Sequence, residues 1–176
     1  AADNPAQSGG EGDTFTLTAL DQTTTGTSGD DTFDASTGGS LNPGDTVDGA
    51  GGVDTLFAFD PDDNGAPTVT SVERLFVRTD AGARTLDFTN IEGATQAWND
   101  QSDAGALTFD EIQSTDTTIG VRGTAANNTV ANFADTSGSN TVSLAIGGEN
   151  GDVTINGVET VSVSGTSFLG DAPSID

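Results

Sequence analysis

Three segments near the start of the chain can be laid over one another: Gly9–Phe15, Gly26–Phe33 and Gly49–Leu56. Each runs from a glycine-rich turn through an aspartate and a threonine to a large apolar residue, the first copy being one residue short. The aligned acids Asp13, Asp31 and Asp54 stand 18 and 23 residues apart. A chain that repeats itself at such a step builds stacked units, each covering the apolar face of the one before. A second repeat supports the same step. Ser71–Val77, Asn90–Ala94 and Gly157–Val163 share an aliphatic residue followed by Glu73, Glu92 or Glu159, and Leu56 to Leu75 and Val142 to Val161 are both 19 residues. Sandwich strands recur about every 8–12 residues without matching turns. The pattern therefore predicts an all-β chain wound as a parallel β-solenoid or β-roll, with about 18–23 residues per coil.

The predicted strands fall near 14–18, 31–34, 54–59, 72–78, 85–88, 106–109, 117–122, 128–133, 141–146, 152–155 and 158–164. Thr, Val, Gly, Asp and Asn dominate, and these favour strands and turns over helix. Only Ser102–Ser114 has room for a short helix, and Gly105 argues against a long one. The tails 1–8 and 171–176 read as frayed. Between them, 9–60 form coils with intact acidic turns and 61–170 form coils with degenerate ones. Gly123–Val130 and Thr136–Val142 repeat the turn with Asn128 and Asn140 in the acid's place, which reads as metal-free turns with stacked asparagines.

Charge sharpens the question of what holds such a stack together. There are 28 acids against 4 basic residues, with no histidine, for a net charge of −24. Residues 1–73 contain no basic side chain. Nucleic acid and acidic membrane surfaces are excluded as partners, because approach to phosphate costs energy. Leu, Ile, Val and Phe make up just over a fifth of the chain, close to the composition at which acidic chains stay disordered. A cation bound only by the folded form would tip that balance by mass action. A lysine-free acidic surface also fits a high-salt habitat. There is no cysteine for disulfides, and no run of apolar residues long enough for a transmembrane helix. Ala1–Ser8 lacks the basic and apolar regions of a signal peptide, so the chain reads as a mature form or an excised piece of a longer one.

Calcium suits the acidic turns on chemical grounds. It takes six to eight oxygens from carboxylates, carbonyls and water, and glycine lets a turn aim several carbonyls inward. Gly26–Asp34 fits the calcium-binding nonapeptide G-G-x-G-x-D-x-U-x through Gly26, Gly29, Asp31 and Phe33, with Thr27 departing. Gly49–Phe57 fits it through Gly49, Gly52, Asp54 and Leu56, with Ala50 departing. Here the chain resembles the RTX (repeats-in-toxin) family. With Gly44–Gly49 and the later Val-Glu strands, it is similar to RTX-bearing surface-layer proteins and large adhesins of Gram-negative bacteria. The resemblance implies a β-roll that folds on meeting extracellular Ca2+ after type I secretion. It implies Asp31 and Asp54 as the leading ligands, Asp13, Asp30 and Asp48 as further ones, and Gly26, Ser28, Gly49 and Gly51 as carbonyl donors. Separately, Asp60-Pro61-Asp62-Asp63-Asn64-Gly65 matches the start of an EF-hand-like loop, with Asp60, Asp62 and Asn64 as donors. The glutamate such a loop needs at its twelfth position is replaced by Ser71.

Other features read as structural. Alternation sends Leu56, Leu75 and Val77 inward and turns Phe57 and Phe76 the other way, to be covered by a loop, to stack, or to meet a neighbouring module. Glu73, Glu92 and Glu159 repeat in equivalent places, whereas an acid–base pair needs distinct environments. Arg74, Arg78 and Arg84 lie close to Glu73 and Asp80, and Arg122 reads in the same way, as structural ion-pair partners. Without His or Cys, triad, thiol and zinc chemistries lack their usual parts. A polysaccharide lyase or glycosidase needs only Asp and Glu, but the chain is short for one. The expected function is a non-enzymatic structural module of a secreted surface-layer or adhesin protein, stacked on neighbouring modules or subunits. The alternatives are a glycan- or surface-binding module using Trp98 and the Asp60–Pro67 loop, and an accessory domain of a type I-secreted enzyme.

Overall fold

The computed structural model describes residues 12–166 apart from 81, 104, 125, 126 and 136. The expected tails at 1–8 and 171–176, and Gly9–Glu11 of the first turn, lie outside the described residues. In chain order the strands are β1 (Thr14–Thr16), β2 (Thr23–Thr25), β3 (Thr32–Ala35), β4 (Thr46–Asp48), β5 (Thr55–Phe59), β6 (Thr68–Thr70), β7 (Arg74–Arg78) and β8 (Arg84–Asp87). They continue as β9 (Ile91–Glu92), β10 (Gln96–Asp100), β11 (Ala106–Ile112), β12 (Thr118–Thr124), β13 (Asn128–Phe133), β14 (Thr141–Asn150), β15 (Val153–Asn156) and β16 (Thr160–Thr166).

These strands wind into a parallel solenoid of about 7 turns. One sheet runs its whole length in the order β1-β3-β5-β7-β10-β12-β14-β16. A sheet of β2-β4-β6-β9 closes the early coils, and one of β8-β11-β13-β15 closes the later ones. Every pairing is parallel. Register partners along the long sheet give steps of 18, 23, 19, 22, 22, 25 and 19 residues. The step of 25 exceeds the expected range. It lengthens to 26 beyond a register shift between Arg122 and Thr124, while Ile119 and Leu144 stay in register.

Alternation builds the core. Phe15, Phe33, Leu56, Leu75, Ala97, Ile119, Leu144 and Val163 form one inward row in strict register. Leu56, Leu75 and Val77 are buried as expected. Phe88 and Phe109 fill the later coils, meeting edge to face at 5.8 Å.

The structure corrects the sequence reading in several places. Ser102–Ser114 is not a helix: β11 occupies Ala106–Ile112, with Leu107, Phe109 and Ile112 buried against β8 and β13. Among the described residues there is no helix, and so none long and apolar enough to cross a membrane. β2, β4, β6, β9 and β10 were not expected. The first four hold two or three residues and send one inward, in the row Thr24, Val47, Val69 and Ile91.

β10 hides because its inward pair is Ala97 and Asn99, one small and one polar. Asn99 sits between Val77 and Val121 in the core, fully buried. Its Nδ2 donates to Asn127 Oδ1 at 2.7 Å and Thr129 Oγ1 at 2.8 Å, and its Oδ1 accepts from Ser102 Oγ. Ser102 Oγ in turn accepts the Thr79 N–H at 2.9 Å, while Asn127 Nδ2 donates to Thr79 Oγ1. The result is a buried polar brace across three coils, and buried networks of this kind are costly to break. Asn99→Ala removes donors from two buried acceptors, and we expect it to lower unfolding free energy by about 2 kcal/mol in a urea titration with an unchanged slope. A loss below about 0.5 kcal/mol would mean water replaces the brace at little cost.

Candidate cation site in the N-terminal turns

At the start of successive strands in the long sheet, each carboxylate takes a backbone N–H from the preceding coil. Asp13 donates to Asp31 Oδ1 at 2.7 Å, Asp31 to Asp54 Oδ1 at 2.6 Å, and Asp54 to Glu73 Oε2 at 2.8 Å. Asn140 donates to Glu159 Oε2 at 2.6 Å in the same way. Charge-assisted bonds of this type are strong, and they give the repeated acids of both motifs one shared task. Glu92 has an exposed side chain and takes no part in the ladder.

Asp31 and Asp54 are therefore neighbours in one column, both buried, but they are not equally satisfied. Thr27, which departs from the nonapeptide, gives Asp31 both its N–H and its hydroxyl, the latter at 3.0 Å. Burial pushes the Asp31 carboxyl up, but the bonds from Thr27 and Asp13 outweigh this and hold it below its ordinary value. The equivalent residue before Asp54 is Ala50. It has no hydroxyl, and its N–H goes to Asp48 Oδ1 at 3.0 Å. Asp54 Oδ2 is left buried without a hydrogen-bond partner. Burial raises the Asp54 carboxyl, only partly offset by the Asp31 N–H, and the charges of Asp31, Glu73 and Asp30 raise it further.

The glycines of this column are forced by close approach. A Cβ on Gly26 would lie 2.5 Å from Asp31 Oδ2 and 2.6 Å from the Gly49 carbonyl oxygen. On Gly49 it would overlap both Asp54 Oδ2 and the Ser71 carbonyl oxygen. A carboxylate oxygen and a carbonyl oxygen thus converge over each glycine. Beside Asp54, where the carboxylate oxygen is orphaned, this pair of oxygens is a candidate cradle for a cation. Its donors are all oxygens, which suits Ca2+ rather than a soft metal.

The remaining expected ligands stand apart from this cradle. Asp30 Oδ1 accepts the Val53 N–H at 2.8 Å. Asp48 closes the Ala50 turn, and Asp13 is exposed. Gly51 donates to the Thr27 carbonyl at 3.1 Å and packs over Ser28. In the EF-hand-like stretch the donors diverge. Asp60 accepts the Asp80 N–H at 3.1 Å and lies 3.7 Å from Arg84 Nε, while Asp62 accepts from the backbone and side chain of Asn64. Among the described residues no three His, Cys, Asp or Glu side chains form a metal cluster. A cation at Asp54 would lean on carbonyls and water for the rest of its shell.

Three further expectations are corrected. Phe57 is 38% exposed rather than covered by a loop, and it stacks on Phe76. Arg78 pairs with Asp103, Arg84 with Asp60 and Asp63, and Arg122 with Asp100, rather than with Glu73 or Asp80. Asn128 and Asn140 do not stack on each other: Asn128 accepts the Asp152 N–H, and Asn140 donates to the Asp135 and Ser137 carbonyls. An amide ladder forms elsewhere, from Asn156 to Asn132 to Asp110. The role of Glu73 escaped the sequence reading, although its distance of 19 residues from Asp54 is the signal that places one beside the other.

No family model, no curated protein and no solved structure matches the chain.

Proposed function

We propose that this chain is a non-enzymatic structural module of a secreted bacterial surface protein, of surface-layer or adhesin type, whose N-terminal coils are stabilised by Ca2+. The observation that carries this reading is the buried, unpartnered Asp54 Oδ2 between two other acids of its column. Asp54 Oδ2 and the Ser71 carbonyl would hold the ion, with Asp31 and the Gly49 carbonyl in the adjoining cradle. The ion supplies positive charge where the chain has none before residue 74. With it bound, the column's mutual repulsion no longer opposes strand pairing. Such an ion reports the passage from a calcium-poor interior to a calcium-rich exterior, which fits type I secretion of an unfolded chain.

The last coil supports an assembly role. Val161 and Val163 pair in register with buried Val142 and Leu144, yet each is 39% exposed. Nothing among the described residues covers them, so a neighbouring module or subunit would continue the core.

Thermal melting followed by far-UV circular dichroism tests the reading, first in EDTA and then in millimolar Ca2+. Calcium should increase the β signal and raise the melting temperature. If Mg2+ or high NaCl acts equally well, the acidity serves a high-salt habitat and the calcium reading fails.

A further inference from the structure

The outward face of the long sheet carries an aromatic row. Phe57, Phe76 and Trp98 are register partners on β5, β7 and β10. Their ring centroids are 5.3 and 6.1 Å apart, with planes within 21° of parallel. The next position is Gly120, and a Cβ there would run into the Trp98 indole, so glycine lets the ring lie flat over β12. Arg122 lies over the Phe76 and Trp98 rings. Its guanidinium lies 5.2 Å from the Phe76 centroid and 5.8 Å from that of Trp98, fixed by two bonds to Asp100 at 2.6 and 2.8 Å. Arg78 is fixed likewise, over Phe59 at 5.8 Å and bonded to Asp103 at 2.7 Å.

Alongside the row a groove of about 410 Å³ opens between Phe57, Phe59 and Phe76 on the apolar side and Arg78, Asp100 and Gln101 on the polar side. Among the described residues Phe57 is the only aromatic counted with the exposed large hydrophobic side chains. Ring stacking alone accounts for the row, but not for a groove with ion-paired, oriented polar groups along one wall. Small-ligand sites combine these two elements at volumes of about 300–1,000 Å³.

Charge decides the class of occupant. A polyanion is repelled by a chain of net charge −24 and by Asp80 and Asp100 beside the groove. A cationic partner would settle anywhere on this acidic surface in preference to the region that holds two of the four arginines. A neutral polyol meets neither objection. Its C–H faces match aromatic edges and rims, and its hydroxyls match the Gln101 carboxamide together with a carboxylate and a guanidinium that are already ion-paired.

We propose that the groove at Phe57, Phe76, Arg78, Asp100 and Gln101 binds a short segment of neutral glycan. The site differs from the Trp98 and Asp60–Pro67 surface that the sequence suggests, because neither Trp98 nor any residue of 60–67 lines the groove. It is independent of the cation.

The test is a panel of uncharged oligosaccharides (gluco-, manno-, xylo- and chito-trioses) followed by saturation-transfer NMR and titration calorimetry, run in EDTA and again in Ca2+. At least one neutral saccharide should bind. Phe57→Ala should weaken it about tenfold or more, as should Asp100→Asn, while Leu20→Ala at the far end of the solenoid should leave it unchanged. Circular dichroism confirms that each variant is folded. The proposal is overturned if no neutral saccharide binds at millimolar concentration, if folded Phe57→Ala binds as the parent does, or if polygalacturonate or oligolysine occupies the groove in preference. Glycan binding without a calcium response would overturn the cation reading and leave this one standing, and the reverse holds equally.

Discussion

Gly49→Ala is expected to cost about 3 kcal/mol or more. The added methyl would overlap the Ser71 carbonyl oxygen and Asp54 Oδ2, and lie 2.8 Å from the Ser71 carbonyl carbon. A side chain can rotate away, but a backbone carbonyl in a pinned coil cannot. Gly49 N–H donates to the Thr70 carbonyl at 2.9 Å, so the clash lies beside a bond that sets the coil spacing. Relief requires two coils to separate. Gly39 is the control: it has φ +73° and open space where a Cβ would go. Gly39→Ala should cost only the left-handed penalty of about 1 kcal/mol. Urea midpoints of the two variants give the comparison. Equal losses would show that the Ser71 contact is relieved at little cost.

Asp54→Asn should reverse the order of stability depending on whether calcium is present. In EDTA the native protein holds a buried carboxyl with one oxygen unpaired among other acids. Because folding raises this carboxyl above its ordinary value of 3.8, the folded state binds its proton more tightly than the unfolded state does. Stability from this group is therefore intact below that value and is lost as the pH climbs through the raised one. Asparagine keeps an oxygen for the Asp31 N–H and never ionises. The variant should thus be more stable than the parent in EDTA at pH 7, and the gap should close on acidification. Asp31, held below its ordinary value, imposes the opposite slope in both proteins and cancels from the difference. In Ca2+ the parent gains and the variant does not, a difference of about 2.7 kcal/mol at a hundred times the dissociation constant. An undiminished calcium response in Asp54→Asn would remove the ion from this column.

The solenoid was legible in the sequence because its inward rows consist of large aliphatic and aromatic residues at nearly constant spacing. Leu56, Leu75 and Val77 follow directly from alternation, and the acids of the ladder from the repeated turn. What stayed hidden depends on the exact length of each coil. Arg78 finds Asp103 on the coil after it and Arg122 finds Asp100 on the coil before it, partners 25 and 22 residues away. Nearer acids such as Glu73 look equally suitable until the register is known. The unequal fates of Asp31 and Asp54 were hidden for a different reason. Thr27 and Ala50 both read as departures from one motif, yet one supplies a hydroxyl and the other leaves an oxygen bare. β10 was invisible because an asparagine occupied a core position, and only the network around it explains why that is tolerated.

Among the described residues every strand pairs only with the coils directly above and below it, and no strand joins the first coil to the last. A pull on the two ends would strip coils from an extremity one at a time rather than shear the whole stack at once. Each released coil of 18–25 residues would pay out up to about 3.3–3.6 Å per residue of slack. Tethered in this way, the domain would behave as a ratcheted extension spring that yields in discrete increments.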